Sequence, residues 1–282
     1  MLSTEQLQQF EQDGFIVLPD FVERARCEEL QAHVDALLVG LDGSGEACVF
    51  STTDPSHGAN EWFLGSADKV RWFFEDGAVD EDGNLTRAIP EAVNKLGHAM
   101  HDLDPVFDSF SRTPELAEVA GDVGFVDPKL LQSMYIFKQP GIGGEVICHC
   151  DHTFLWTEPQ SVIGFWLAIE DATLNNGAMW ALPGGHRQSA KSRFRLVDAD
   201  DRSKGTTTDV FDEVPYDTDG LVPLEAEAGT LILLHGTLPH YSAANASNKS
   251  RHAYTLHVIE GTANYLSDNW LQRPPDFPLR GF

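Results

Sequence analysis

The sequence predicts a mainly β chain with flanking α-helices, its strands folded into a jelly roll or barrel. Three observations predict this. From Leu131 onward, short runs rich in aromatic and β-branched residues alternate with turns. Apolar residues at helical spacing are concentrated before that point. No internal repeat or low-complexity linker interrupts the 282 residues, so one core suffices. The chain is read as a single domain, 1–282, with an N-terminal helical part of about 1–130 and a jelly-roll core of about 131–282.

Each element has its own warrant. Ser3 to Gln6 fits a capping box, and Leu7 and Phe10 follow at helical spacing. Asp13-Gly14 stops that helix, and Phe15-Ile16-Val17-Leu18 reads as a short buried strand before Pro19. A second helix is expected from about Glu23 to Leu38, a loop over Gly40 to Gly65, and a turn at Asp82-Gly83. That acidic turn fails as a calcium loop. With Gly83 as the sharp-turn glycine, Ala78 falls on the first ligand position and Ile89 on the last. Another helix, from about Glu91 to Leu103, would carry Lys95, His98 and His101 before Asp104-Pro105 ends it. The strand-like runs beyond are Met134 to Phe137, Glu145 to Cys150, Val162 to Ile169, Gly229 to Leu234 and Ala253 to Ile259. Between them, Arg193 to Gly220 is polar and acidic, suited to a lid, a substrate loop or a plain surface excursion.

Composition narrows the partners. With 44 acidic and 19 basic residues, the net charge is −25, a field that disfavours nucleic acid and anionic membrane. It also opposes a polyanionic substrate unless the pocket mouth is locally basic. Lys138, Arg187, Arg193 and Arg195 are candidates for such a mouth and are read here as surface charges. A high-salt habitat is one origin for this acidity. No stretch reaches the ~20 consecutive apolar residues of a membrane helix. The segment Met1-Leu2-Ser3-Thr4-Glu5-Gln6 lacks the regions of a signal peptide, so a cytoplasmic location is the default expectation. Cys27, Cys48, Cys148 and Cys150 read as free thiols, with zinc binding by the last two a minor alternative. Phe154, Trp156 and Trp180 are candidates for an apolar pocket wall or for the core.

The densest chemistry lies in Cys148-His149-Cys150-Asp151-His152. On a strand, His149 and Asp151 point one way and their neighbours the other, so both can reach one metal ion. Alone the pair is a weak signal; a solvated histidine and aspartate in a loop would look the same. His235, His240, His252 and His257 are candidates for a third ligand. His240 has the best company: Ser242, a turn through Asn245 to Lys249, then Arg251. A hairpin pairing His240 with Arg251 would put both, and Ser242, on one face. Two histidines and a carboxylate suit iron(II) and leave positions for a bidentate 2-oxo acid and dioxygen. A planar guanidinium suits the far carboxylate of such an acid.

These residues bring the chain close to a known family. It resembles the phytanoyl-CoA dioxygenase family of iron(II)/2-oxoglutarate oxygenases along nearly its whole length. The match begins at Phe10-Glu11-Gln12-Asp13-Gly14-Phe15 and runs through Asn94-Lys95-Leu96-Gly97-His98. It is strongest at Gln132 to Pro140 and at His149-Cys150-Asp151 with Phe154 to Pro159. It continues at Glu170 to Leu174, Asn176-Gly177, Trp180, His240, Arg251 to Thr255, and Asn269-Trp270-Leu271-Gln272. The resemblance implies a double-stranded β-helix (jelly-roll, cupin-like) core. It implies iron held by His149, Asp151 and His240, and 2-oxoglutarate contacted by Lys95, Met134, Trp166, Ser242 and Arg251. It also implies a small-molecule substrate and release of succinate and carbon dioxide. Pro183-Gly184-Gly185-His186 departs from the family pattern, which has serine before that histidine; His186 reads as a structural histidine in a turn. Related halogenases carry a small residue in place of the carboxylate, so Asp151 points to hydroxylation or another oxidation. Two rivals stay open: a zinc-dependent isomerase or hydrolase on the same scaffold, and a sensor that binds iron and 2-oxoglutarate without turnover. Nothing in the sequence addresses oligomeric state.

Overall fold

A computed structural model describes residues 2–41, 48–50, 61–80, 82 and 84–282. The N-terminal third contains α1 (Thr4–Asp13), β1 (Phe15–Leu18), α2 (Arg24–Val39), β2 (Val49–Phe50) and α3 (Glu61–Leu64). It continues with β3 (Val70–Glu75), α4 (Ile89–Ala92), β4 (Val93–His98), α5 (Met100–Leu103), α6 (Pro105–Ser111) and α7 (Pro114–Asp122). Then come β5 (Pro128–Ile136), β6 (Val146–His149), β7 (Thr157–Glu158), β8 (Ile163–Ala168) and β9 (Met179–Ala181). The hairpin strands β10 (Ser192–Leu196) and β11 (Thr206–Val210) follow. The last are β12 (Val222–Leu224), β13 (Leu231–His235), β14 (His240–Ser242), β15 (Ala253–Glu260) and β16 (Asn264–Tyr265).

Two sheets build the core. The larger runs β1-β13-β8-β15-β5-β4-β3-β2 and the smaller β12-β9-β14-β6. Alternation along the large sheet explains its two buried faces. Phe165 and Leu167 of β8, Leu231 and Leu233 of β13, and Tyr254 and Leu256 of β15 pack with Leu30, Val34 and Leu38 of α2. The intervening Trp166, Ala168, Ile232 and Leu234 pack against Met179 and Ala181 of the small sheet. Helices cover one face and a second sheet covers the other. That is a jelly roll with a helical layer outside it, as expected.

Local chemistry starts and stops the elements. The Ser3 hydroxyl accepts from the Gln6 N–H at 3.2 Å and the Gln6 side chain from the Ser3 N–H at 2.8 Å, the predicted box. Gly14 ends α1 at φ 81°, and His186 lies so close that a Cβ there would sit 2.4 Å from its Nδ1. The expected loop over Gly40 to Gly65 and turn at Asp82-Gly83 fall partly outside the described residues. Asp80 Oδ1 accepts from the Asp82 and Asn84 N–H groups, consistent with a turn.

Two expectations are corrected. The helix from Glu91 to Leu103 is instead β4, flanked by the single turns α4 and α5. Its residues are hydrogen-bonded on both sides, to β3 and to β5, and this pairing overrides local helical preference. The N-terminal part is therefore not simply helical, since β1, β3 and β4 all extend the large sheet.

Candidate active site

The small sheet brings the metal-ligand candidates together. His149 ends β6 and His240 begins β14, and the two stand directly opposite in the ladder, ring centroids 4.3 Å apart. After Cys150 the chain enters a single 3₁₀ turn, Asp151–Thr153, which places Asp151 beside both rings. Its Oδ1 lies 3.7 Å from His149 Nε2 and 3.7 Å from His240 Nε2. One ligand atom from each of the three lies within 4.8 Å of the others.

Backbone carbonyls set the tautomers. His149 Nδ1 meets the Ile147 oxygen at 2.8 Å and His240 Nδ1 meets the Leu238 oxygen at 2.9 Å. A carbonyl can only accept, so each Nδ1 carries the proton and each Nε2 presents a lone pair to the centre. Burial, then His240, pushes His149 down to about 4, so it is neutral at pH 7 as a ligand must be. Burial by itself would raise Asp151, yet His257, His240 and His149 around it hold the carboxyl well below the usual range. Its second oxygen faces His257 Nε2 at 3.3 Å. Gly164 leaves room for that carboxylate, because a Cβ there would stand 2.9 Å from Oδ2. This donor set fits iron(II).

All eight predicted residues face one cavity of about 410 Å³: His149, Asp151, His240, Lys95, Met134, Trp166, Ser242 and Arg251. The expected route to this meeting is corrected, however. His240 and Arg251 are not hairpin partners. β14 pairs with β6 and β9 in the small sheet, while Arg251 precedes β15 in the large one, and the two residues meet across the cavity. Arg251 is buried, its Nε donating to the Gly177 carbonyl at 3.3 Å and its guanidinium 5.4 Å from the Trp166 ring centre. Burial lowers it to about 10, so it stays charged at neutral pH. Its Nη1 is buried without a hydrogen-bond partner among the described residues. Lys95 points from β4 into the cavity over Phe50 and Phe73, and burial pushes it down to about 7.

Among the further residues that line this cavity are His98, Lys138 and His257. Lys138, expected as a surface charge, is instead buried: it is 3% exposed, with Nζ 2.9 Å from Ser242 Oγ. The signal was present, since Gln132, Met134, Ile136 and Lys138 alternate onto one face. The other three basic candidates stay outside. Arg193 pairs with Asp268, Arg195 with Asp209, and Arg187 donates to the Glu11 carbonyl. Among the candidate aromatic linings only Phe154 reaches the cavity, as Trp156 stacks on His152 and Trp180 packs near Tyr241. The polar segment from Arg193 to Gly220 contains the β10–β11 hairpin, which sends Phe194 and Thr208 to the cavity. None of the four cysteines is in a disulfide among the described residues, and His186 lies near His235.

A jelly roll with this donor set and a buried cation opposite defines a class, the iron(II)- and 2-oxoglutarate-dependent oxygenases. The fold recurs in EctD from S. alaskensis at 20% identity and TM-score 0.65, covering 99% of this chain and 84% of that one. It recurs also in the carbocyclase SnoK from nogalamycin biosynthesis at 17% identity and TM-score 0.63, covering 99% and 96%. The sequence is more specific. Residues 10–253 match the family described as phytanoyl-CoA dioxygenase (PhyH). The chain is 42% identical over 282 residues to phytanoyl-CoA dioxygenase 1 of Oryza sativa subsp. japonica, covering 99% of this chain and 97% of that protein. It is 40% identical over 285 residues to phytanoyl-CoA dioxygenase domain-containing protein 1 of Bos taurus, again covering 99% and 97%. This chain belongs to the phytanoyl-CoA dioxygenase (PhyH) family. Among the described residues, no helix is long and apolar enough to cross a membrane.

Proposed function

We propose that the chain hydroxylates a C–H bond of a small molecule while converting 2-oxoglutarate to succinate and carbon dioxide. The observation that carries this reading is the convergence on one cavity of eight side chains expected from residue spacing or from the family resemblance. In it, His149, Asp151 and His240 hold iron(II). When bound, that ion supplies the activation of dioxygen and of the 2-oxo acid. Arg251 and Ser242 take the far carboxylate, and Lys95, Met134 and Trp166 complete the co-substrate wall. The orphaned Arg251 Nη1 is explained by this role, because a buried donor without an acceptor is costly until a ligand supplies one. Asp151 occupies the position a halogenase would leave open, which favours hydroxylation.

The part of the substrate that enters the cavity is small on this reading. A cavity of about 410 Å³ has to hold the co-substrate as well. Phe63, Phe73, Phe154, Phe194 and Trp270 give it an aromatic wall. The test is succinate formed from 2-oxoglutarate under air. Iron(II)-loaded protein should produce it; zinc-loaded protein and His149→Ala should not. Equal turnover with zinc, or full turnover in His149→Ala, would overturn the reading.

A further inference from the structure

We propose that Lys138 is a further co-substrate residue, orienting the Ser242 hydroxyl toward the far carboxylate of 2-oxoglutarate and selecting dicarboxylic over monocarboxylic keto acids. This rests on the co-substrate reading of the same cavity.

The hydrogen bonds assign the direction. Lys138 Nζ donates to the Gly144 carbonyl at 2.8 Å and to Ser242 Oγ at 2.9 Å. In its ammonium form, which an arriving carboxylate favours, Lys138 only donates, so Ser242 Oγ then accepts there. The single hydroxyl proton of Ser242 is then left for another acceptor, and a carboxylate arriving between Ser242 and Arg251 is one. Lys138 thus decides what Ser242 can recognise.

The backbone is built to bring this amine inward. Lys138 has φ 39°, in the left-handed region that a residue with a side chain rarely occupies. Its stem passes Gly177, where a Cβ would stand 2.2 Å from Lys138 Cε. The carbonyl of that same glycine receives Arg251 Nε. One glycine therefore clears the path of one cation and anchors the other.

The charges are unbalanced in the manner of an anion site. Among the described residues, no carboxylate forms an ion pair with Lys138 or Arg251. The nearby Glu75 carboxylate is engaged by Asn94 Nδ2 at 2.9 Å, the Gly144 N–H at 3.2 Å and the Gln139 N–H at 3.4 Å. Burial and then Arg251 push Lys138 down to about 7, with Glu75 and Glu145 only partly offsetting them. Two buried cations side by side are unfavourable until an anion joins them. A keto acid with one carboxylate spends it at the metal and leaves this pair unmet.

The experiment compares two probes on iron(II)-loaded protein without oxygen. One is 2-oxoglutarate; the other is 2-oxovalerate, which has the same carbon chain but lacks the far carboxylate. Lys138→Met should weaken 2-oxoglutarate binding by about 10- to 100-fold, the worth of a charged hydrogen bond, and leave 2-oxovalerate unchanged. In a Ser242→Ala background the same substitution should cost less, because the two side chains act together. Equal weakening of both probes would make Lys138 a structural prop and overturn the inference, as would no weakening of either. If Lys138→Met does not fold, Ser242→Ala alone carries the test through the same ratio of probes. Wild-type protein that fails to bind 2-oxoglutarate at all would instead sink the co-substrate reading beneath it.

Discussion

The two ends of the cavity are prepared for their ligands in different ways. At the metal end, each ring Nδ1 of the ligand histidines is bonded to a carbonyl two residues back, and Asp151 Oδ2 is met by His257. The ligand side chains are held by partners the protein supplies itself. At the other end, Lys138 and Arg251 are buried with no ion pair to a carboxylate among the described residues, Glu75 acting on both only from a distance, and Arg251 Nη1 has no acceptor. On the proposed function, geometry is pre-arranged for the metal and charge is left unpaired for the co-substrate. The contrast teaches that one end depends on orientation and the other on the arrival of an anion.

Substitutions should separate the two ends, and the largest effect belongs to the metal. Asp151→Ala should reduce succinate formation to the level of metal-free protein, while Arg251 still grips its carboxylate; retained turnover would break the contrast. Next, Arg251→Met should weaken 2-oxoglutarate about 100-fold, as loss of one partner of a buried charged contact does. Turnover at saturation should change far less, read as KM against kcat. His257→Phe should lower metal affinity about 10- to 100-fold through the loosened Asp151. Competition with a chelator measures this, and 2-oxovalerate and 2-oxoglutarate should be affected alike.

Most gradual is a dependence on pH. Lys95 and Lys138 sit near 7 in the folded protein against an ordinary 10.5. Between those values the unfolded chain binds more protons than the folded one, so stability rises with pH across that window. Below it both states are charged and the burial penalty is complete; above it both are neutral and the penalty is gone. Denaturant unfolding of the metal-free protein should show this rise. Adding 2-oxoglutarate should flatten it, because its carboxylate restores the ammonium form. A flat profile without ligand would remove the idea of unpaired charge.

Much of this was legible in the sequence, for identifiable reasons. Helix α1 and strand β1 follow from a capping box, a glycine stop and an apolar run, all local signals. His149 and Asp151 have a spacing that suits one metal ion, a weak signal until the resemblance strengthens it. A 3₁₀ turn rather than a continued strand brings Asp151 to the site. Long-range pairing was not legible. Lys95 lies in a segment that reads as a helix by itself, and only its two strand neighbours make it extended. His240 and Arg251 are close in sequence, which suggested a hairpin, yet the chain crosses from one sheet to the other between them. Lys138 follows β5 in the alternation of Met134 and Ile136, but its charge suggested solvent. At this position periodicity is a better guide to burial than residue type.

The strands β3 and β4 add one wall to the cavity from far upstream of the ligand histidines, and β4 is joined to β5 along Lys95 to His98. A shortened protein beginning near Pro128 would keep every metal ligand and still lose the enclosure around them. It would also leave β5 as a bare edge, an invitation to pair with strands of other molecules. Trimming this chain to its ligand-bearing half should therefore give aggregate before it gives a smaller enzyme.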